Sequence, residues 1–263
     1  MNRNQELISF LRVRGESYGM EEPKLSNWVL GMSDEEKAIQ LLHSFLSQYP
    51  LSKEELCLDM GCGFGNLVLA LSQHFRNVSG IDLIEERVEW SRRRCPSAEI
   101  VCGKAEGLPW PANHFGLITC TDVFEHLNHE QQALAANEIA RVLKPGGHAF
   151  ITVPSKFQIK DEHNYIPFGT WMPEPLRRAV SMKLRHSYLQ CWEHSGPEWR
   201  RIFENAGLTV ESVPQKPKRL PIFASRFHLF ARKPLSQEST QYVRAPDVNT
   251  ALKTDSGHVQ YSM

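Results

Sequence analysis

Residues 56–66 read Leu56-Cys57-Leu58-Asp59-Met60-Gly61-Cys62-Gly63-Phe64-Gly65-Asn66, and this stretch decides the fold. A short apolar run, typical of a buried strand, ends in a turn with three alternate glycines, and a helix-like segment follows. A second apolar run, Val78-Ser79-Gly80-Ile81-Asp82, ends in an acid. Glycine lets the backbone approach a ligand closely, and an acid at the tip of the next strand binds ribose hydroxyls in nucleotide-binding sheets. The stretch therefore predicts a strand–helix–strand unit that binds a compound built on adenosine.

Strand-like and helix-like runs alternate along the chain from residue 56. The strand-like runs are Leu56–Met60, Val78–Leu83, Glu99–Cys102, Gly116–Thr121, His148–Val153, Leu208–Val213 and Phe227–Arg232. The helix-like runs between them are Asn66–Phe75, Glu85–Arg94, Glu130–Leu143 and Gly196–Asn205. Strands that alternate with helices at this spacing favour a parallel sheet with helices on both faces. We therefore expect an α/β fold.

Three segments depart from this alternation. Residues 1–50 have helical periodicity and predict an N-terminal helical extension, in front of a main domain at 51–233. Residues 154–195, rich in Pro, Trp, His, Tyr and Arg, predict a lid or acceptor-binding insertion after the fifth strand, since long irregular segments in compact domains are usually functional. Residues 234–263 are polar with little apolar periodicity, so we expect a disordered tail.

Composition and charge exclude several classes of protein. The 263 residues carry a formal net charge of zero, which provides no overall attraction to DNA or to anionic membranes. No apolar run approaches the roughly 20 residues that span a bilayer, and residues 1–6 lack the apolar core of a signal peptide. The cysteines show no CxxC spacing, which favours buried free thiols over a metal site. We expect a cytoplasmic protein with no membrane span, no DNA partner and no metal.

The glycine-rich turn is compatible with several adenosine compounds until its neighbours are considered. A dinucleotide site requires a third glycine where this chain has Asn66, and a phosphate-binding P-loop requires Gly-Lys-Ser/Thr, which is absent. Asp59, just before the turn, would repel a pyrophosphate and attract a cation. These features favour a cationic adenosine compound.

Further motifs, in order along the chain, resemble class I S-adenosylmethionine-dependent methyltransferases of the small-molecule type. They are Asp59–Gly65, Gly80–Asp82, Gly103–Pro109, Phe115–Ile118, Thr121–Leu127 and Val142–Gly147. Several motifs in order are far more specific than any one of them. The resemblance implies a Rossmann-like, doubly wound sheet of seven mostly parallel strands, with S-adenosylmethionine as cofactor and S-adenosylhomocysteine as product. One departure is Gly116, where the family usually has an acid after phenylalanine.

The resemblance also implies which residues bind the cofactor. Asp82 would accept the ribose hydroxyls, and residues after the third strand would surround the adenine, although Lys104 stands where the family commonly has Asp. The expected cofactor-binding residues are Asp59, Gly61, Cys62, Gly63, Asp82, Leu83, Lys104, Ala105, Glu106, Thr121 and Val123.

Three residues are candidates for catalysis on the acceptor side. Glu125 and His126 follow the fourth strand, and relatives with a similar Glu-His pair direct it toward the acceptor. His163 in the insertion is a second candidate base, since histidine titrates near neutral pH. The alternative is that Glu125 pairs locally and His126 is structural. With His129, the pair also resembles metal sites of some relatives, but the spacing is loose and we expect no metal.

The expected reaction is methyl transfer to a small-molecule acceptor, most simply to a hydroxyl oxygen of a sugar, a lipid-linked compound or a secondary-metabolite precursor. Residues 155–233 contain 14 Lys and Arg against 7 Asp and Glu, a charge that would suit an anionic acceptor. Two alternatives stay open. One is an RNA methyltransferase, and the other is a methyltransferase-like scaffold that binds a partner without catalysis.

Overall fold

The computed structural model describes residues 3–17, 24–47, 49–159, 161, 166–185, 188–215 and 225–235. The helices in these residues are α1 (Arg3–Ser17), α2 (Lys24–Ser33), α3 (Glu35–Leu46), α4 (Asn66–His74), α5 (Glu85–Arg94), α6 (His129–Val142), α7 (Glu174–Arg185) and α8 (Gly196–Asn205). The strands are β1 (Leu56–Met60), β2 (Asn77–Asp82), β3 (Glu99–Cys102), β4 (Phe115–Thr121), β5 (Leu143–Pro154), β6 (Thr209–Gln215) and β7 (Arg226–Arg232). No helix in this part of the chain is long and apolar enough to cross a membrane.

The strands form one sheet in the order β3-β2-β1-β4-β5-β7-β6. Strands β1 to β5 pair in parallel, whereas β7 is antiparallel to both β5 and β6. The predicted seven-stranded, mostly parallel, doubly wound sheet is confirmed. Because β1 lies between β2 and β4, the carboxyl ends of β1 and β4 border the crevice where open α/β sheets bind ligands.

The sheet is buried on both faces, as the largely apolar strands β4 and β5 predict. One face packs against α6 and α8, and the other packs against α3 and α4. The helical periodicity predicted for residues 1–50 is present in α3 as an apolar stripe, in which Leu42 and Phe45 have no exposed surface. Phe45 packs on Phe150 of β5 with ring centroids 5.5 Å apart. Asp34 accepts a hydrogen bond from the Lys37 N–H at 2.8 Å and so fixes the start of α3.

Gly116 has a steric reason in this fold. A Cβ at this position would lie 2.0 Å from the Oε2 of Glu55, a carboxylate that also accepts a hydrogen bond from the Lys144 ammonium at 3.2 Å. The Glu55 carboxylate thus fills the space of the acid that the family usually has here. Gly116 lies near the start of β4, at the edge of the sheet opposite to the crevice. The absence of the acid therefore leaves the crevice unchanged.

Two sequence expectations differ from the structure or lie outside it. The strand expected from His148 begins at Leu143. Residues 144–147 form an irregularity in the pairing of β4 and β5, where the register shifts between the Phe115–Leu143 and Leu117–His148 pairs. The expected disordered tail lies outside the described residues from residue 236 onward. The six cysteines are free, and all except Cys102 are buried.

Candidate active site

A cavity of about 160 Å³ opens where β1, β4 and β5 end, and α3 covers it. The predicted residues that line it are Asp59, Gly61, Cys62, Gly63 and Thr121. The carboxyl ends of these strands meet at one edge because the strands are parallel and adjacent. The structure therefore brings together the residues of the first motif and the tip of the fourth strand.

Two glycines of the turn have different functions. Gly61 has φ +80°, and a Cβ there would lie 2.2 Å from the Cγ2 of Val123, so this glycine allows the turn to pack on β4. Gly63 has φ +51°, and no atom lies within 4 Å of the position that its Cβ would take. The turn thus keeps open space beside Gly63, as close approach of a ligand to the backbone requires.

Asp82, at the end of β2, is tied to the glycine-rich turn. Its carboxylate accepts hydrogen bonds from the backbone N–H groups of Gly63 and Ile84, each at 2.9 Å. A carboxylate has about four acceptor positions, so each oxygen can still accept from a ligand hydroxyl. These bonds fix the direction of the carboxylate before any ligand binds. The next residue, Leu83, is 58% exposed and offers an apolar surface beside it.

Asp59 is a buried acid at the back of the cavity. Its Oδ1 accepts a hydrogen bond from the Thr119 hydroxyl at 2.7 Å. Burial raises the pKa of Asp59 to about 7, against the opposing effect of the Thr119 hydrogen bond, and the nearby Asp82 adds to the rise. Near neutral pH this carboxyl is therefore balanced between its neutral and charged forms, and a cation bound beside it would favour the charged form.

Asn66, which replaces the third glycine of a dinucleotide site, joins the turn to the N-terminal helices. Its side-chain amide donates to the Met32 carbonyl at 3.0 Å and accepts from the buried Arg94 guanidinium at 2.8 Å. Arg94 also donates to the carbonyl of Phe64 and to the carboxylate of Glu35 at the start of α3. The N-terminal extension is therefore connected to the glycine-rich turn by direct hydrogen bonds.

The residues predicted to surround the adenine do not line this cavity. Lys104 is exposed, and Ala105 packs against the core between the sheet and α6. The Oε1 of Glu106 accepts a hydrogen bond from the Gln131 amide at 2.6 Å, which anchors the loop after β3 to the start of α6. These residues lie along the carboxyl edge of the sheet, on the β3 side of the cavity.

Of the catalytic candidates, neither Glu125 nor His126 lines the cavity. Glu125 has no exposed surface, and burial together with the charge of Asp122 raises its pKa well above the usual value. His126 is exposed, with its Nδ1 3.8 Å from the Sγ of Cys191. His163 lies outside the described residues.

The cavity contains a charged pair that sequence reasoning did not select. Asp122 has φ +57°, a left-handed backbone uncommon for residues other than glycine. Its carboxylate accepts hydrogen bonds from the Thr152 hydroxyl, at 3.2 Å, and from Arg226. Although burial opposes ionisation, Arg226 lowers the pKa of Asp122. Arg226 is brought here because antiparallel β7 places it opposite Pro154, at the end of β5, a pairing that no local sequence pattern reports.

A second cavity, of about 380 Å³, lies beneath the predicted insertion. Its lining includes Lys156, Arg177, Trp192 and His194, and it shares no described lining residue with the first cavity. Burial and the nearby His129 lower the pKa of His194 to about 4, so this imidazole is neutral. The described residues of 154–195 thus line a second cavity together with His129 of α6 and Glu198 of α8.

Comparison with known proteins agrees with the methyltransferase resemblance of the sequence motifs. Residues 58–151 match the model of the methyltransferase domain family. A fatty-acid O-methyltransferase from Mycolicibacterium smegmatis is 34% identical over 142 residues, which cover 52% of this chain and 51% of that protein. Over residues 58–151 this chain is therefore similar to class I methyltransferases.

Two further similarities, one to a curated protein and one to a solved structure, differ in the share of each chain that the alignment covers. A ubiquinone biosynthesis O-methyltransferase from Coxiella burnetii is 28% identical over 165 residues, which cover 58% of this chain and 67% of that protein. The structure of an S-adenosylmethionine-dependent methyltransferase from Mesorhizobium loti has a TM-score of 0.58 at 15% identity, covering 73% and 96% of the two chains. The chain spans about half the length of the fatty-acid enzyme, so the similarity describes the common domain.

The geometry of the site fits S-adenosylmethionine, the methyl donor that the sequence resemblance implies. The open space beside Gly63 is a cradle that any Cβ would narrow, and the acid at Asp59 suits a cationic ligand better than a phosphate. The cavity is smaller than the roughly 300–1,000 Å³ of typical ligand sites. A ligand that fills it would therefore also extend along the edge of the sheet, where Asp82 and Leu83 lie.

Proposed function

We propose that this chain transfers the methyl group of S-adenosylmethionine to an oxygen atom of a small-molecule acceptor. The observation that carries the proposal is the class I sheet whose glycine-rich turn is held by Asp82 and leaves open space at Gly63. Two relatives named as O-methyltransferases support oxygen as the acceptor atom. Fold alone would not support it, since one fold hosts many reactions.

The cofactor half of the reaction would use the residues around the turn. Asp82 would accept hydrogen bonds from the ribose hydroxyls, and the Gly61–Gly63 backbone would lie against the methionyl part, near Asp59 and Thr121. Leu83 and residues 104–106 would border the adenine. When bound, S-adenosylmethionine supplies a methyl group activated by a sulfonium. The protein's task is then to align the acceptor, exclude water and accept a proton.

For the acceptor half we propose His126 as the group that takes the proton from the acceptor hydroxyl, with His163 as the second candidate. The exposed imidazole follows the tip of β4, on the loop that also bears the ionised Asp122. Glu125 has no exposed surface, and burial raises its pKa well above the usual value, so we do not propose it as the base. We assign Glu125 to positioning, since its carbonyl accepts from the Trp192 N–H at 2.8 Å and links this loop to the insertion.

Replacing His126 by Ala is expected to lower kcat by about 100-fold or more, the usual contribution of a general base, with the affinity for S-adenosylhomocysteine unchanged. Steady-state kinetics and calorimetry measure the two effects separately. His129→Ala is the matched control, because His129 is also exposed, three residues further along the chain. If His126→Ala left turnover unchanged, His126 would not be the base, and His163 would become the candidate to test.

The proposed reaction is tested with methyl-labelled S-adenosylmethionine and two extracts, one of lipids and one of polar metabolites. We expect the label in a product that loses it under conditions that cleave methyl esters or ethers. Label in RNA added to the same assay would favour the RNA methyltransferase. Binding of S-adenosylhomocysteine without any transfer would favour the non-catalytic scaffold.

A further inference from the structure

Helix α7, in the insertion after β5, buries two polar side chains and exposes three large apolar ones. The side chains of Arg177 and Ser181, one turn apart, are buried. By contrast, Leu176 is 52%, Met182 48% and Leu184 66% exposed. A surface helix of a globular protein normally shows the opposite arrangement, with its apolar stripe toward the core. The outer face of α7 therefore needs an explanation other than core packing.

A buried ion cluster fixes this orientation. Arg177 donates two hydrogen bonds to the Glu193 carboxylate, at 3.1 and 3.0 Å, and one to the Cys191 carbonyl at 3.0 Å. The carboxylate of Asp161, fully buried, lies 3.9 Å from the same guanidinium. Rotating α7 to bury its leucines would expose this cluster and break its bonds. The outward apolar face is thus a fixed feature of the fold.

Exposed aromatic residues stand just before α7. The rings of Phe168 and Trp171, each about half exposed, lie 5.6 Å apart. Phe168 has φ +57°, a conformation that is an outlier for a bulky residue. It is held there because its N–H donates to the Ile159 carbonyl at 2.6 Å, and Ile159 is itself 53% exposed. Backbone strain that presents an aromatic ring to solvent points to a function.

Most of the exposed charge on the described part of α7 is positive. Arg178 and Lys183 are exposed and Glu174 is half-buried, whereas the side chains of Asp161 and Glu193 lie in the buried ion cluster. A helix that exposes leucine and methionine together with Lys and Arg, next to Trp and Phe, is typical of proteins that lie in the headgroup region of a membrane. Basic residues beside such a surface are attracted by anionic lipids.

We propose that α7, with Ile159, Phe168 and Trp171, docks this protein on the surface of a lipid bilayer that contains anionic lipids. The apolar side chains enter the boundary between headgroups and acyl chains, and Arg178 and Lys183 contact the headgroup phosphates. The ion cluster of Arg177 holds the helix in the required orientation. The proposal concerns attachment to the membrane surface and is independent of the methyl transfer proposed above.

The test is co-sedimentation of the full chain with vesicles of equal parts phosphatidylglycerol and phosphatidylcholine, and with vesicles of phosphatidylcholine alone. We expect binding to the anionic vesicles and at least tenfold weaker binding to the neutral ones. The double variant Leu176→Glu/Met182→Glu should weaken binding to the anionic vesicles by tenfold or more. Arg178→Ser/Lys183→Ser should weaken it by roughly tenfold, since each basic residue contributes separately.

The control is Leu134→Glu on α6, which makes the same kind of substitution, with one added negative charge, at a leucine that is 45% exposed elsewhere on the surface. It should bind vesicles like the wild type, and circular dichroism should show all variants folded. No binding of the wild type to anionic vesicles would overturn the proposal, as would equal weakening by Leu134→Glu. A dimer in light scattering that the Leu176→Glu/Met182→Glu variant converts to monomer, without vesicle binding, would assign the face to a second copy instead.

Discussion

Replacing Glu193 by Gln is expected to lower the free energy of unfolding by about 3 kcal/mol. Glu193 and Arg177 are both nearly fully buried, with 4% and 6% of their side chains exposed. The substitution keeps the shape of Glu193 but removes its charge, which leaves the buried guanidinium of Arg177 with the more distant Asp161 carboxylate, 3.9 Å away, as its counter-charge. Urea unfolding followed by circular dichroism measures the global effect, and hydrogen exchange of the α7 amides measures a local one.

The control is Glu204→Gln, which breaks an ion pair of the same chemistry on the surface of α8. Arg200 and Glu204 are 50% and 43% exposed, so we expect a loss of no more than about 0.5 kcal/mol. If both variants lose the same small amount, the ion cluster does not hold α7, and the argument for its fixed apolar face fails. The variant also gives an independent test of vesicle binding, which should fall if α7 loosens.

The second large effect is expected for Asp82→Ala, which should weaken binding of S-adenosylhomocysteine by about 100-fold. Hydrogen bonds to a charged group are each worth about 1.5–3 kcal/mol, and two lost bonds to ribose hydroxyls would exceed a factor of 100 before any relaxation. The substitution also removes the acceptor for the Gly63 and Ile84 N–H groups, so the turn itself should loosen. Isothermal titration calorimetry measures the affinity.

Asp82→Asn separates the two contributions. It keeps the size of the side chain and one acceptor oxygen, so we expect a smaller loss of affinity than for alanine. Thermal unfolding of both variants reports how far the turn is destabilised. Equal binding by the wild type and Asp82→Ala would contradict the cofactor assignment, whatever the outcome of the methyl-transfer assay.

Local patterns in the sequence predicted the elements well. The glycine-rich turn, the acid at the end of β2 and the stripe of α3 are short-range features, and the structure has each of them where the sequence indicated. Even Asn66, interpreted only as a departure from a dinucleotide site, proved to be informative. What it bonds to, the Met32 carbonyl and the Arg94 guanidinium, follows from the docking of distant helices and could not be derived from spacing.

Residues on the acceptor side were harder to predict, because their chemistry depends on burial and on strand order. The sequence suggested Glu125 as a catalytic group, but the side chain is fully buried, and burial together with the charge of Asp122 raises its pKa well above the usual value. Arg226 reaches Asp122 only because β7 runs antiparallel beside β5. The net charge of zero gave no reason to expect membrane attraction. Among the described residues of the insertion, however, the carboxylates of Asp161 and Glu193 lie in the interior with Arg177, while Arg178 and Lys183 are exposed.

Motifs and local patterns in the sequence indicated the resemblance to class I methyltransferases, the order of the strands and helices, and the residues of the glycine-rich turn, since these depend on neighbours within a few residues or on motifs in order. Which charges meet in the cavity, which carboxyls have their pKa raised by burial and which side chains of α7 are exposed became clear only from the tertiary structure. These properties depend on the removal of side chains from water and on contacts between residues far apart in the chain. Periodicity and motif spacing do not encode either.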